Sequence, residues 1–126
     1  MKIDSIRIGY VDVPISLEDL HEDDCFGYFE AYPYPKIVLH SNLRPIYVAA
    51  TAFHETLEAI SAIYGLELTE GQIRTLETAI VDLILRNPGH AKKWMEMVHD
   101  EKDKNQERVE DAYADASPSR SASGDG

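Results

Sequence analysis

The chain has 126 residues, 23 of them acidic and 12 basic, for a formal charge of −11. A chain of this size buries one modest core, and so acidic a balance argues against direct binding to a nucleic-acid backbone, whose phosphates call for lysine and arginine. Cys25 is the only cysteine, which excludes an internal disulfide and a thiolate zinc cluster and suits a reducing cytoplasm; no stretch approaches the roughly 20 apolar residues of a membrane span, and no apolar leader core is expected at the start.

From Lys2 to Ile15 the β-branched and aromatic residues Ile3, Ile6, Ile8, Tyr10, Val11 and Val13 predict a first strand ending near Pro14. Ser16 to Asp24 is polar and acidic. Two further strands are expected over Cys25 to Tyr32 and over Lys36 to His40, joined as a hairpin across Pro33-Tyr34-Pro35. Pro45 suits the first turn of a helix that continues through Tyr64 and stops at Gly65. A second helix is expected from about Thr69, whose hydroxyl can cap the first turn, to Arg86, ahead of Pro88. A third is expected from Ala91 to about Glu110. The reading is an α+β fold in which a short antiparallel sheet of about three strands packs on two to three helices. Residues 1–110 form one domain, and 111–126, rich in serine, alanine, glycine and aspartate, form a disordered tail.

The most informative segment is His54-Glu55-Thr56-Leu57-Glu58, in the middle of the first helix. It reproduces the HExxH metalloprotease signature except at its last position, where glutamate replaces histidine. Residues four apart project to the same side of a helix, so His54 and Glu58 can converge on one metal ion, with an oxygen donor where the parent motif has nitrogen. Glu55, rotated by about 100°, is placed to act as general base on a metal-activated water that attacks a peptide carbonyl. The plainer alternative is that His54 and Glu58 form an ordinary i, i+4 pair worth a few tenths of a kcal/mol.

On a helical wheel Ile46, Ala50, Phe53, Leu57, Ile60 and Tyr64 form an apolar stripe expected to face the core, and Tyr47, Thr51, His54, Glu58 and Ser61 run beside it. In the second helix Glu77 projects among Ile73, Val81 and Ile84, where a carboxylate must neutralise or find a cation. In an antiparallel helical hairpin it would meet His54 and Glu58; otherwise it bonds to Tyr64, Tyr47 or the backbone. Trp94, Met95, Met97 and Val98 are expected to pack the third helix on this pair.

The order strand, hairpin, HExx-bearing helix and glutamate-bearing helix resembles the minimal zincin metallopeptidases of the ImmA/IrrE-like and SprT-like kind, common among small phage and prophage proteins. The resemblance covers about residues 25 to 87 and is carried by Thr51-Ala52-Phe53-His54-Glu55-Thr56-Leu57-Glu58-Ala59-Ile60 followed by Tyr64-Gly65-Leu66. It implies a metal held by His54, Glu58 and Glu77, Glu55 as catalytic base, and a peptide or protein substrate lying along Lys36 to His40 as the sheet edge. Zinc is the implied metal. One histidine with two carboxylates makes the site nearly neutral and oxygen-rich, which also suits manganese or iron(II). The alternative is a catalytically inactive zincin-like scaffold acting as a phage interaction or regulatory protein.

Overall fold

The computed structural model describes residues 4–115, with side chains described for 4–101. It is α+β: a four-stranded mixed sheet with three α-helices. Internal contacts divide the chain into two compact units, Met1–Asp82 and Leu83–Gly126. The first contains all four strands and the first helix.

The expected first strand is two strands, β1 (Asp4–Ile8) and β2 (Val11–Glu18), paired antiparallel with Ile6 opposite Val13. Gly9 makes the reversal at φ 61°, a left-handed conformation that glycine adopts without steric cost. Pro14 therefore lies within β2 instead of ending a strand. The ladder from β2 to its other neighbour begins only at Ile15, just beyond the proline, consistent with the absence of a backbone donor there.

A short 3-10 turn at His21–Asp23 leads to β3 (Gly27–Glu30) and β4 (Lys36–His40), which pair antiparallel as expected. The spatial order is β1-β2-β4-β3, with β2 and β4 parallel. Two expectations change. The sheet is mixed and four-stranded, because the Gly9 turn splits the first strand and β2 adds alongside β4. Lys36–His40 is not an edge: β4 is hydrogen-bonded on both sides, and the edge beside the helix is β3. The backbone N–H of Leu20 donates to His40 Nδ1 at 3.3 Å, and that of Ser41 donates to the carbonyl of Glu18 at 2.8 Å, which ties this end of the sheet together.

Helix α1 (Pro45–Tyr64) starts with proline in its first turn and ends at Gly65 in the left-handed region, where the Leu66 N–H donates to the Ser61 carbonyl. Its buried residues are Thr51, Glu55, Ala59 and Ser61. Ala59 joins Ile8, Val13, Ile37 and Leu39 in the core, with Val48, Ala52, Ile60 and Ile63 packed around them. The helix is thus rotated from the stripe expected on the wheel, and Ile46 and Tyr64 are exposed. Small side chains on the sheet-facing side let the helix backbone approach closely. Gly27 makes the same allowance from β3, since a Cβ there would stand 2.8 Å from both Thr51 Cγ2 and the Val38 carbonyl oxygen.

Helix α2 (Glu70–Arg86) opens with a reciprocal capping box: the Gln72 N–H donates to Thr69 Oγ1 at 3.1 Å, and the Thr69 N–H donates to Gln72 Oε1 at 2.9 Å. Helix α3 (Pro88–Asp115) begins earlier and ends later than expected. Of the tail, 111–115 belong to this helix and 116–126 lie outside the described residues. Trp94, Met95, Met97 and Val98 are exposed on α3. Among the described residues no helix is long and apolar enough to cross a membrane.

Candidate metal centre

The side chains singled out in the sequence come from the middle of α1 and the first half of α2, all within the first unit. His54 is largely enclosed, its side chain 15% exposed, and carboxylates meet both of its ring nitrogens. Nε2 lies 3.3 Å from Glu58 Oε2, one turn along α1, and 3.1 Å from Glu70 Oε2. Nδ1 lies 3.2 Å from Glu77 Oε1. The structure therefore brings His54 beside both Glu58 and Glu77, but on opposite ring nitrogens. Sequence reasoning missed Glu70. At the first position of α2 it reads as an ordinary acid complementing the helix dipole. The available signal was its spacing from Glu77, two helical turns away and hence on the same face.

Glu55 points into the same region from the buried side of α1. The residue is 6% exposed, and its Oε1 is buried without a hydrogen-bond partner. Donor atoms of His54, Glu55 and Glu58 all lie within 4.8 Å of one another, a group compact enough to hold a metal ion. Glu77 is outside that group. An orphaned, buried carboxylate oxygen beside an imidazole and a second carboxylate is costly unless a proton or cation offsets it. That donor chemistry fits a divalent ion. The separations of Glu58 and Glu70 from Nε2 are also close to the roughly 3.3 Å between neighbouring ligands when metal bonds of about 2.0–2.1 Å are arranged tetrahedrally.

Electrostatics point the same way. Burial, then the charge of Glu58, raise the Glu55 carboxyl from 4.5 to about 7; His54 opposes the rise, while Glu70 and Glu77 add to it. For His54, burial disfavours the charged ring, but the hydrogen bond to Glu77 and the charges of Glu55, Glu70 and Glu58 outweigh it, so its pKa is raised.

These groups line a cavity of about 680 Å³, bordered by Gly27, Tyr28 and Phe29 of the edge strand and by Tyr47, Thr51 and Arg74. Arg74 Nη2 lies 3.1 Å from Glu70 Oε2, one turn along α2. His40 does not line this cavity, and its Nδ1 accepts the Leu20 N–H at 3.3 Å.

Compared with models of protein families, with curated proteins and with solved structures, the chain matches none.

Proposed function

We propose that this chain is a metal-dependent peptidase of zincin-like type, with His54 and Glu58 holding a divalent ion, an acid from α2 completing the site, and Glu55 as catalytic base. The observation that carries this reading is Glu55: a buried carboxyl with an unpartnered oxygen, beside two side chains able to ligate a metal. Burial raises the carboxyl of the metal-free protein, and a cation bound beside it would draw that value down again and favour the ionised form a general base needs.

A divalent ion bound there supplies Lewis acidity, polarising the scissile carbonyl and acidifying a water. Glu55 accepts a proton from the attacking water at its free oxygen and returns it to the departing amine. The substrate is a peptide, lying in extended form along the edge strand β3, whose Gly27, Tyr28 and Phe29 line the cavity. Zinc is the preferred ion, and the oxygen-rich donor set also accepts manganese or iron(II). The resemblance to small phage and prophage metallopeptidases, with a single unpaired cysteine, fits work in the cytoplasm of a host cell.

A second reading is a non-catalytic scaffold acting through an interaction surface. It is favoured by the carboxylates on both nitrogens of His54, which satisfy a protonated ring without a metal. Metal content and calorimetric zinc titration of the parent and His54→Ala, followed by peptide hydrolysis with Glu55→Gln, separate the two. One equivalent of metal lost with His54, and hydrolysis lost with Glu55, supports the peptidase. Unchanged hydrolysis in Glu55→Gln, or no metal at all, rejects it.

A further inference from the structure

We infer that Glu70, not Glu77, supplies the acid from α2 that completes the metal centre, and that Glu77 is a positioning residue holding His54 by its other ring nitrogen; this rests on the metal-site reading above. The two lone-pair directions of an imidazole diverge across the ring, so one ion binds one nitrogen and the other is left for a hydrogen bond. Glu58 lies on the Nε2 side at 3.3 Å, and so does Glu70 at 3.1 Å. Glu77 alone lies on the Nδ1 side, at 3.2 Å. An ion shared by His54 and Glu58 therefore sits at Nε2, leaving Nδ1–H to donate to Glu77. A carboxylate on the remote nitrogen of a metal-bound histidine fixes its tautomer and ring plane and makes it a better donor.

Further features of Glu70 support a ligand role. Its main chain is fixed at the start of α2 by the Thr69–Gln72 capping box. Its carboxylate is held by Arg74 at 3.1 Å, as ligating carboxylates are commonly held by an outer hydrogen bond. Glu70 does not belong to the compact donor group of His54, Glu55 and Glu58, but its side chain is 57% exposed, against 31% for Glu58 and 22% for Glu77, and has the most solvent space in which to adjust. Glu55 remains free to act as base when Glu70 completes the set. The unpartnered Glu55 oxygen, in a residue 6% exposed, is the independent sign that the acidic cluster faces a cation.

The test uses the full chain and zinc alone. Zinc affinity is measured by competition calorimetry for the parent, His54→Ala, Glu70→Ala, Glu77→Ala and Glu77→Gln, and circular dichroism checks that each variant is folded. Glu70→Ala is expected to weaken binding by more than about 100-fold. Glu77→Ala is expected to weaken it by about 10–100-fold at unchanged stoichiometry, the usual cost of an outer-shell partner. Glu77→Gln, whose amide oxygen still accepts from Nδ1–H, restores most of that loss. Long-range 1H–15N spectra of the zinc-loaded protein should show the metal on His54 Nε2 and the proton on Nδ1. Zinc on Nδ1, or parental affinity in Glu70→Ala, overturns the assignment while leaving a metal centre in place. A parent that binds no zinc, or a His54→Ala protein that binds it as the parent does, overturns the metal centre itself.

Discussion

A single substitution, Glu55→Gln, should have opposite consequences for stability and for hydrolysis. In the metal-free protein the Glu55 carboxyl is raised from 4.5 to about 7. The folded state therefore holds this proton more tightly than the unfolded chain does. Its stabilising contribution is complete below about pH 4.5 and is lost as pH rises through about 7. Converted at 1.36 kcal/mol per unit, the shift sets an upper limit of about 3 kcal/mol. The cavity admits solvent beside this group, and screening brings the expected figure to about 1–2 kcal/mol. Glutamine keeps the shape but has no proton to lose. In chelator-treated protein the two should be similarly stable near pH 5, and Glu55→Gln should become more stable by about 1–2 kcal/mol near pH 8, a rise in Tm of roughly 3–8 °C for a chain this size. His54 has a raised pKa in the same centre, so its stabilisation also fades as pH rises; comparing the two proteins at each pH removes the part due to Glu77, Glu70 and Glu58, while the part due to the Glu55 charge is lost with the substitution. Urea unfolding followed by circular dichroism across this range is the assay. A difference between the proteins that does not change with pH, or a glutamine variant less stable near pH 8 than near pH 5 relative to the parent, refutes the reasoning.

Zinc at a hundredfold excess over its dissociation constant should stabilise the parent by about 2.7 kcal/mol in thermal melts and leave His54→Ala unmoved, with a chelator reversing the gain. Gly27→Ala should destabilise the fold by about 1–3 kcal/mol in urea titrations, because its Cβ would stand 2.8 Å from Thr51 Cγ2 and from a backbone oxygen that cannot readily move. Thr69→Ala should cost about 1 kcal/mol by removing the α2 cap; if Glu70 is a ligand, the same variant should also weaken zinc binding, a loss measured by calorimetry.

The α+β class was legible because its punctuation is local. Pro45 and Gly65 bound α1, and Thr69 caps the turn that opens α2. What escaped was tertiary. The alternating run through Pro14 looks like one strand until Gly9 reverses it, and the parallel pairing of β2 with β4 has no signature within either segment. That pairing moved the sheet edge from β4 to β3. The α1 wheel misassigned the buried face because hydrophobicity favours Ile46 and Tyr64, whereas close packing on the sheet selects Thr51 and Ala59 and carries Glu55 inward with them. The same rotation accounts for a buried carboxylate that no apolar pattern would reveal.

The replacement of the motif's second histidine by Glu58 acquires a physical context from the acids around it. Glu55, Glu58, Glu70 and Glu77 face one imidazole and one guanidinium, that of Arg74. If all four acids ionise, two negative charges remain even with His54 protonated and Arg74 counted in full. Protonating Glu55, as its raised pKa allows, removes one of them. A divalent ion that displaces the ring proton leaves a single negative charge, or none when Glu55 holds its proton. A histidine in place of Glu58 would lower the negative charge of the empty centre and weaken the electrostatic demand for a cation. Glu58→His therefore trades charge for a stronger nitrogen donor. It should shift preference toward zinc over manganese, as softer, nitrogen-rich sites do. Competitive loading of the two ions followed by elemental analysis measures that shift, and an unchanged zinc-to-manganese ratio in Glu58→His would remove Glu58 from the ligand set.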